Sequence, residues 1–130
     1  MARKSNPEYE IQALFVKIVH LQHPGIMVFS DTAAHIGKTM VQQIRANKLS
    51  TGVKWPDVFV AQPTEKYHGL YLEFKAESPF KKDGVTLKKS DHVEPQAECL
   101  EKLAAKGYKT AFVWDVTQAL NFVNDYLNEK

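Results

Sequence analysis

Three charged residues interrupt stretches that otherwise read as buried strand: Asp57, Glu73 and Lys75. They stand in Trp55-Pro56-Asp57-Val58-Phe59-Val60 and in Gly69-Leu70-Tyr71-Leu72-Glu73-Phe74-Lys75. Between the two runs lies Gln62-Pro63-Thr64-Glu65-Lys66-Tyr67-His68-Gly69, which has turn chemistry, so the whole reads as a hairpin with a long loop. Paired strands run roughly 5 Å apart, so Asp57 can sit beside Glu73. Two carboxylates that close repel each other and do not both stay ionised without a compensating cation. A hard divalent metal supplies one, and Mg²⁺, with Mn²⁺ as its substitute, takes carboxylate oxygen plus water. Lys75 follows Glu73 by two positions and so shares its strand face, where an ammonium can orient a water or offset the charge of a phosphate group.

The elements that must position these groups can be read from periodicity. On the second strand Tyr71, Glu73 and Lys75 share one face; Leu70, Leu72, Phe74 and Ala76 share the other and suit packing against a helix. Residues 7 to about 22 predict a helix, with Pro7 in its first turn and an apolar stripe of Ile11, Leu14, Phe15, Ile18 and Val19. Glu8 falls on the flank of that stripe and Glu10 further from its centre, so Glu8 is the better placed to point inward; the alternative is a carboxylate that merely favours the helix N-terminus. A further helix is predicted from about Val93 to Lys106, with Pro95 in the first turn and Gly107 just past the end. Gln96, Leu100 and Leu103 share one of its faces. A glutamine there needs partners, because an unpaired buried amide costs about 1–3 kcal/mol. Beside a metal site it could position a water or a carboxylate; the alternative is a surface glutamine on a frayed turn.

The remaining elements follow the same logic. Ile26–Phe29 reads as a short strand, and residues 30–37 as a small-residue loop in which Asp31 is expected to cap. Lys38 to about Leu49 reads as a helix with Met40, Val41 and Ile44 as its apolar positions. Residues 76–92 show no period and read as a flexible loop whose lysines order only on binding. Lys109–Trp114 reads as a buried strand, and Asp115 as the cap of a last helix with Val116, Ala119, Leu120, Val123 and Leu127 on one face. Phe29, Phe59, Phe74, Phe112 and Trp114 are expected in the core, while Trp55 suits either the core or a substrate contact.

Pro56-Asp57 followed by Glu73-Phe74-Lys75 resembles the signature of the PD-(D/E)xK nuclease superfamily. The helix opening Glu8-x-x-Ile11-Gln12, and Gln96 at the start of the helix after Glu-x-Lys, resemble the virus-type replication-repair nuclease (VRR-NUC) family, over roughly Pro7 to Leu127. Val53-Lys54-Trp55 stands between Gly52 and Pro56, a longer spacing than the family pattern. The resemblance implies an α/β, restriction-endonuclease-like core, a small mixed sheet flanked by helices, as a single domain over residues 1–130. It implies an endonuclease in which Asp57, Glu73, Glu8 and the Phe74 carbonyl hold one or two Mg²⁺ or Mn²⁺ ions, Lys75 orients the water and Gln96 positions the ligands. The implied products are a 3′-hydroxyl and a 5′-phosphate. Stand-alone members of this size resemble phage-borne enzymes acting on branched DNA, including Holliday junctions. Symmetric cutting of a four-way junction implies a two-fold homodimer, and the implied setting is the cytoplasm of a bacterial or phage-infected cell. The rival readings are a non-catalytic DNA-binding protein that keeps the fold and a sequence-specific restriction-type nuclease.

Composition bounds these readings without deciding among them. At 130 residues the chain is long enough for one core, and 44% apolar and 25% charged residues are ordinary for a globular protein. One cysteine, Cys99, excludes an internal disulfide and fits a reducing compartment. No apolar run approaches the roughly 20 residues of a membrane span. The net charge of +2 is weak evidence for a polyanionic partner. Its distribution says more: Lys38, Arg45, Lys48 and Lys54 stand in an acid-free stretch before Asp57, and Lys81, Lys82, Lys88 and Lys89 follow Lys75. Cations so placed can neutralise DNA phosphates. His20 and His23 have zinc-ligand spacing but no third ligand nearby, and no phosphate-cradling glycine loop is present.

Overall fold

A computed structural model of the protein describes residues 7–31, 39–90 and 92–128. The elements are α1 (Pro7–Gln22), β1 (Val28–Ser30), α2 (Met40–Leu49), β2 (Val58–Val60), β3 (Leu70–Phe74), α3 (Val93–Ala105), β4 (Lys109–Val113) and α4 (Val116–Asn128). Among the described residues the strands form one sheet in the order β1-β2-β3-β4. The first three pair antiparallel, and β4 lies parallel to β3 after a crossover through α3. This is the expected mixed sheet between helices.

The core lies on one sheet face. Val58, Val60, Leu70, Leu72 and Phe74 point there with no exposure, and meet Phe15 and Val19 of α1 and Ala119, Val123 and Tyr126 of α4. Removing one such side chain from water is worth about 1.5–3 kcal/mol. The Phe15 and Phe74 rings meet at 5.2 Å. α3 covers the other face, burying Val93, Cys99, Leu100 and Leu103. It stops at Gly107, where φ is +100° and a Cβ would lie 2.6 Å from His68 Cδ2, so only glycine fits. Asp115 caps α4 through a 3.1 Å bond from the Gln118 N–H, and Gln118 returns a contact to the Trp114 N–H at 2.8 Å.

Several expectations are corrected. Residues 76–92 are not featureless. Phe80 bridges Leu87, the Asp83 carboxylate accepts the Val85 and Thr86 N–H groups, and the Phe80 ring packs on Phe112 and Trp114. An aspartate that closes its own turn and an aromatic packed on Phe112 and Trp114 give this stretch local structure of its own. Thr39, not Asp31, caps α2, in a reciprocal capping box with Gln42. Met40, Val41 and Ile44 are 80%, 55% and 50% exposed, so that apolar stripe faces solvent rather than the core. Phe29, expected inside, is exposed on the sheet face away from the α1–α4 core, and Leu14 is exposed on α1. β4 buries only Val113. Tyr126, absent from the expected α4 stripe, is fully buried and donates its hydroxyl to the Gln62 carbonyl. Among the described residues no helix is long and apolar enough to cross a membrane.

Candidate active site

The site follows from the β2–β3 register. Val58 stands opposite Leu72, so one further step sets Asp57 opposite Glu73, on the face away from the core. Asp57 is held at two points: its Oδ2 accepts the Phe74 N–H at 2.8 Å, and its carbonyl accepts the Asp31 N–H at 3.0 Å. Because the first of these bonds comes from the residue after Glu73, it holds the Asp57 carboxylate against the strand that carries Glu73.

Glu73 is 4% exposed, a rare state for a carboxyl group. Burial is the main cause that pushes it up to about 9; the charge of Asp57 adds to this, Lys75 opposes it, a hydrogen bond with Asp57 raises it again, and the charge of Glu8 adds the smallest push. At neutral pH, with no cation present, Glu73 therefore keeps its proton. From α3, Gln96 Nε2 donates to Glu73 Oε1 at 2.8 Å. The other end of that amide, Gln96 Oε1, is buried and finds no hydrogen-bond partner among the described residues.

These features fit a hard divalent cation. A carboxyl group forced neutral beside a second carboxylate is the arrangement a bound positive charge relieves, and an orphaned amide oxygen suits a water in the cation's shell. The donors are all oxygen, which suits Mg²⁺ or Mn²⁺ rather than a soft metal. Among the described residues no three His, Cys, Asp or Glu side chains gather into one cage. A cation placed here would therefore meet two carboxyl side chains, those of Asp57 and Glu73.

Glu8, half-buried at the start of α1, lines a concavity of about 440 Å³ together with Lys75, Lys88, Lys89 and Val93. Lys88 Nζ lies 3.9 Å from Glu77 Oε1 in an exposed pair. Lys81 and Lys82 are exposed at the ordered turn, and Arg45 and Lys48 are exposed on α2. Lys54 lines a separate groove with Lys102 and Lys106 of α3. Lys38 lies outside the described residues. His23 is bound to Asn124 at 2.8 Å and takes no part in the site.

Sequence reasoning missed two contributions. Gln12, 4% exposed, donates from Nε2 to Ser30 Oγ at 2.6 Å and so ties α1, one turn past Glu8, to the end of β1. Its signal was present, since Gln12, Phe15 and Val19 fall on one helical face. Lys102 and Lys106 gave no signal, being ordinary helix cations by sequence.

No protein-family profile and no curated protein matches the sequence. A solved structure described as a VRR_NUC domain protein matches it with a TM-score of 0.66 and 17% identity, over 96% of this chain and 91% of the other. The chain therefore has the fold of a VRR-NUC domain, extended over nearly its whole length.

Proposed function

We propose that the protein is a VRR-NUC-type, metal-dependent endonuclease that hydrolyses phosphodiester bonds in DNA, branched DNA including four-way junctions in particular. The observation that carries this reading is the buried Glu73 carboxyl, bound by Gln96 and set opposite Asp57 by the β2–β3 register, with Lys75 beside it. Asp57 and Glu73, assisted by Glu8 and the Phe74 carbonyl, would hold Mg²⁺ or Mn²⁺. That ion would lower the pKa of a bound water and stabilise charge gathering on the phosphate. The chain's own groups do the positioning. Asp57 is fixed by the Phe74 N–H. Gln96 fixes the rotamer of Glu73 and leaves one oxygen to accept from water. Lys75 sets an ammonium at the rim, where it can meet a phosphate oxygen and shield its charge. Two copies about a two-fold axis would place two such sites for paired cuts. The work belongs in the cytoplasm of a bacterial or phage-infected cell.

The test is cleavage of a synthetic four-way junction, a flap, a single strand and a linear duplex, each with and without Mg²⁺. The junction should be cut only with the metal. Asp57→Ala and Lys75→Ala should abolish cutting while leaving the fold and DNA affinity largely intact; full activity in either variant removes that residue from the mechanism. The absence of a three-carboxylate cage among the described residues favours a second reading, a DNA-binding protein without catalysis. Calorimetry with Mn²⁺ separates the two, because only the nuclease should bind the ion in a carboxylate-dependent way.

A further inference from the structure

A groove of about 410 Å³ runs between residues 51–55 and the flank of α3. It adjoins the candidate site through both walls: Trp55 precedes Asp57 by two residues, and Pro95 precedes Gln96. Its walls are mainly apolar, with Val53, Trp55 and Leu103 among them. Trp55 is not a core residue. It is 56% exposed, and its ring leans on Tyr71 at 6.1 Å, while Tyr71 stacks on Phe59 at 4.5 Å. The indole is thus the open end of an aromatic file. Around it stand three ammonium groups, those of Lys54, Lys102 and Lys106, against one carboxylate, Glu98.

A flat aromatic wall in an apolar slot rimmed by cations matches one chemistry: a nucleobase with its phosphates. Pockets of roughly 300–1,000 Å³ hold drug-sized ligands, and a nucleotide is of that size. A base inside a duplex is stacked on both faces and cannot enter. We infer that this groove binds an unpaired nucleotide adjoining the scissile phosphate, its base stacked on Trp55 and its phosphates met by Lys54, Lys102 and Lys106. The inference rests on the nuclease reading and sharpens it: the substrate must offer an unpaired base next to the cut, as a flap does, or as a four-way junction does only where a base pair at its crossover opens.

The test uses Trp114→Phe protein in metal-free buffer, which leaves Trp55 as the one indole. Its fluorescence is titrated with a short oligothymidylate, with an abasic sugar-phosphate oligomer of equal length and with a blunt duplex. Oligothymidylate should quench Trp55 and bind about 10-fold tighter than the abasic oligomer, the scale of one stacked base. Competition binding with otherwise native Trp55→Ala protein gives the same comparison should Trp114→Phe fail to fold, and there the advantage should vanish. Lys102→Ala/Lys106→Ala should weaken both oligomers alike. Equal affinity of native protein for the two oligomers overturns the inference. So does Trp55 fluorescence left unchanged at saturating oligothymidylate, which would put the bound base elsewhere. Metal-dependent junction cutting, assayed on the same preparations, is independent of these outcomes, so the groove and the nuclease reading can fail separately.

Discussion

Glu73 makes the folded, cation-free protein sensitive to pH in a direction opposite to the usual carboxylate. Its folded value is raised from 4.5 to about 9, so between those values the native state binds a proton that the unfolded state has lost. Its contribution is fully present below about pH 4.5 and is lost as pH rises through about 9, with a slope of at most roughly 1.4 kcal/mol per pH unit. Denaturant unfolding in EDTA should show stability falling from pH 5 to 9. Glu73→Gln, which cannot titrate, should flatten that profile, and Mn²⁺ should restore the native protein at high pH. Identical slopes for the two proteins would remove Glu73 as the cause. Gln96 makes a second test. Gln96→Leu removes the donor to Glu73 Oε1 but also an orphaned buried oxygen, two changes of opposite sign. Stability should therefore shift by less than about 1.5 kcal/mol, while nuclease activity should fall at least tenfold with a higher Mg²⁺ requirement. A loss of stability with activity intact would mark Gln96 as packing only. The placement of these groups was legible because strand alternation and helical spacing are strict: two positions separate Glu73 from Lys75, and Gln96 shares a face with Leu100 and Leu103. That one of the two carboxyls is held neutral was legible from their expected closeness; how far Glu73 is pushed up was not. It depends on how completely α3 and the surrounding chain exclude water, and no spacing rule reports that.

At the scale of elements, the fold was readable wherever an apolar stripe repeats with one period, as in α1, β3 and α4. It was misread where an element is held by its own polar groups. α2 is capped by the Thr39–Gln42 capping box and buries no residue among those described, so its apolar positions marked a true helix without marking a core. The turn around Asp83 has no hydrophobic period at all. It is closed by one carboxylate accepting from Val85, Thr86 N–H and the Thr86 hydroxyl, and those bonds hold that carboxyl below its ordinary value. Asp83→Ala should therefore open the turn locally. Limited trypsin digestion should cut faster at Lys81 and Lys82, while the global unfolding midpoint moves by only a few degrees. Unchanged digestion would mean that Phe80, packed on Phe112 and Trp114, holds the segment without help from the turn.

Across the whole molecule, a formal charge of +2 understates the field that DNA would meet, because six of the lysines line two concavities. One gathers Lys75, Lys88 and Lys89 about Glu8 and Glu77, and the other gathers Lys54, Lys102 and Lys106 about Glu98. The first turn of α3 contributes Val93 to one and Pro95 to the other, with Gln96 bound to Glu73 beside them. A linear duplex is straight over tens of base pairs and should engage chiefly one concavity, whereas a branched substrate can send separate arms into both. Each phosphate neutralised adds about 0.9 to the slope of log affinity against log salt for duplex. Branched DNA should therefore give a steeper slope than linear duplex of equal length. Lys89→Ala should lower the slope on both substrates by about 1. Lys88→Ala should lower it by less, since Glu77 at 3.9 Å already offsets part of that charge. Lys102→Ala/Lys106→Ala should lower the slope mainly on the branched substrate. Equal slopes for the two DNA forms, unchanged by the Lys102/Lys106 pair, would mean that the second concavity meets no phosphate and that recognition of branching resides elsewhere in the chain.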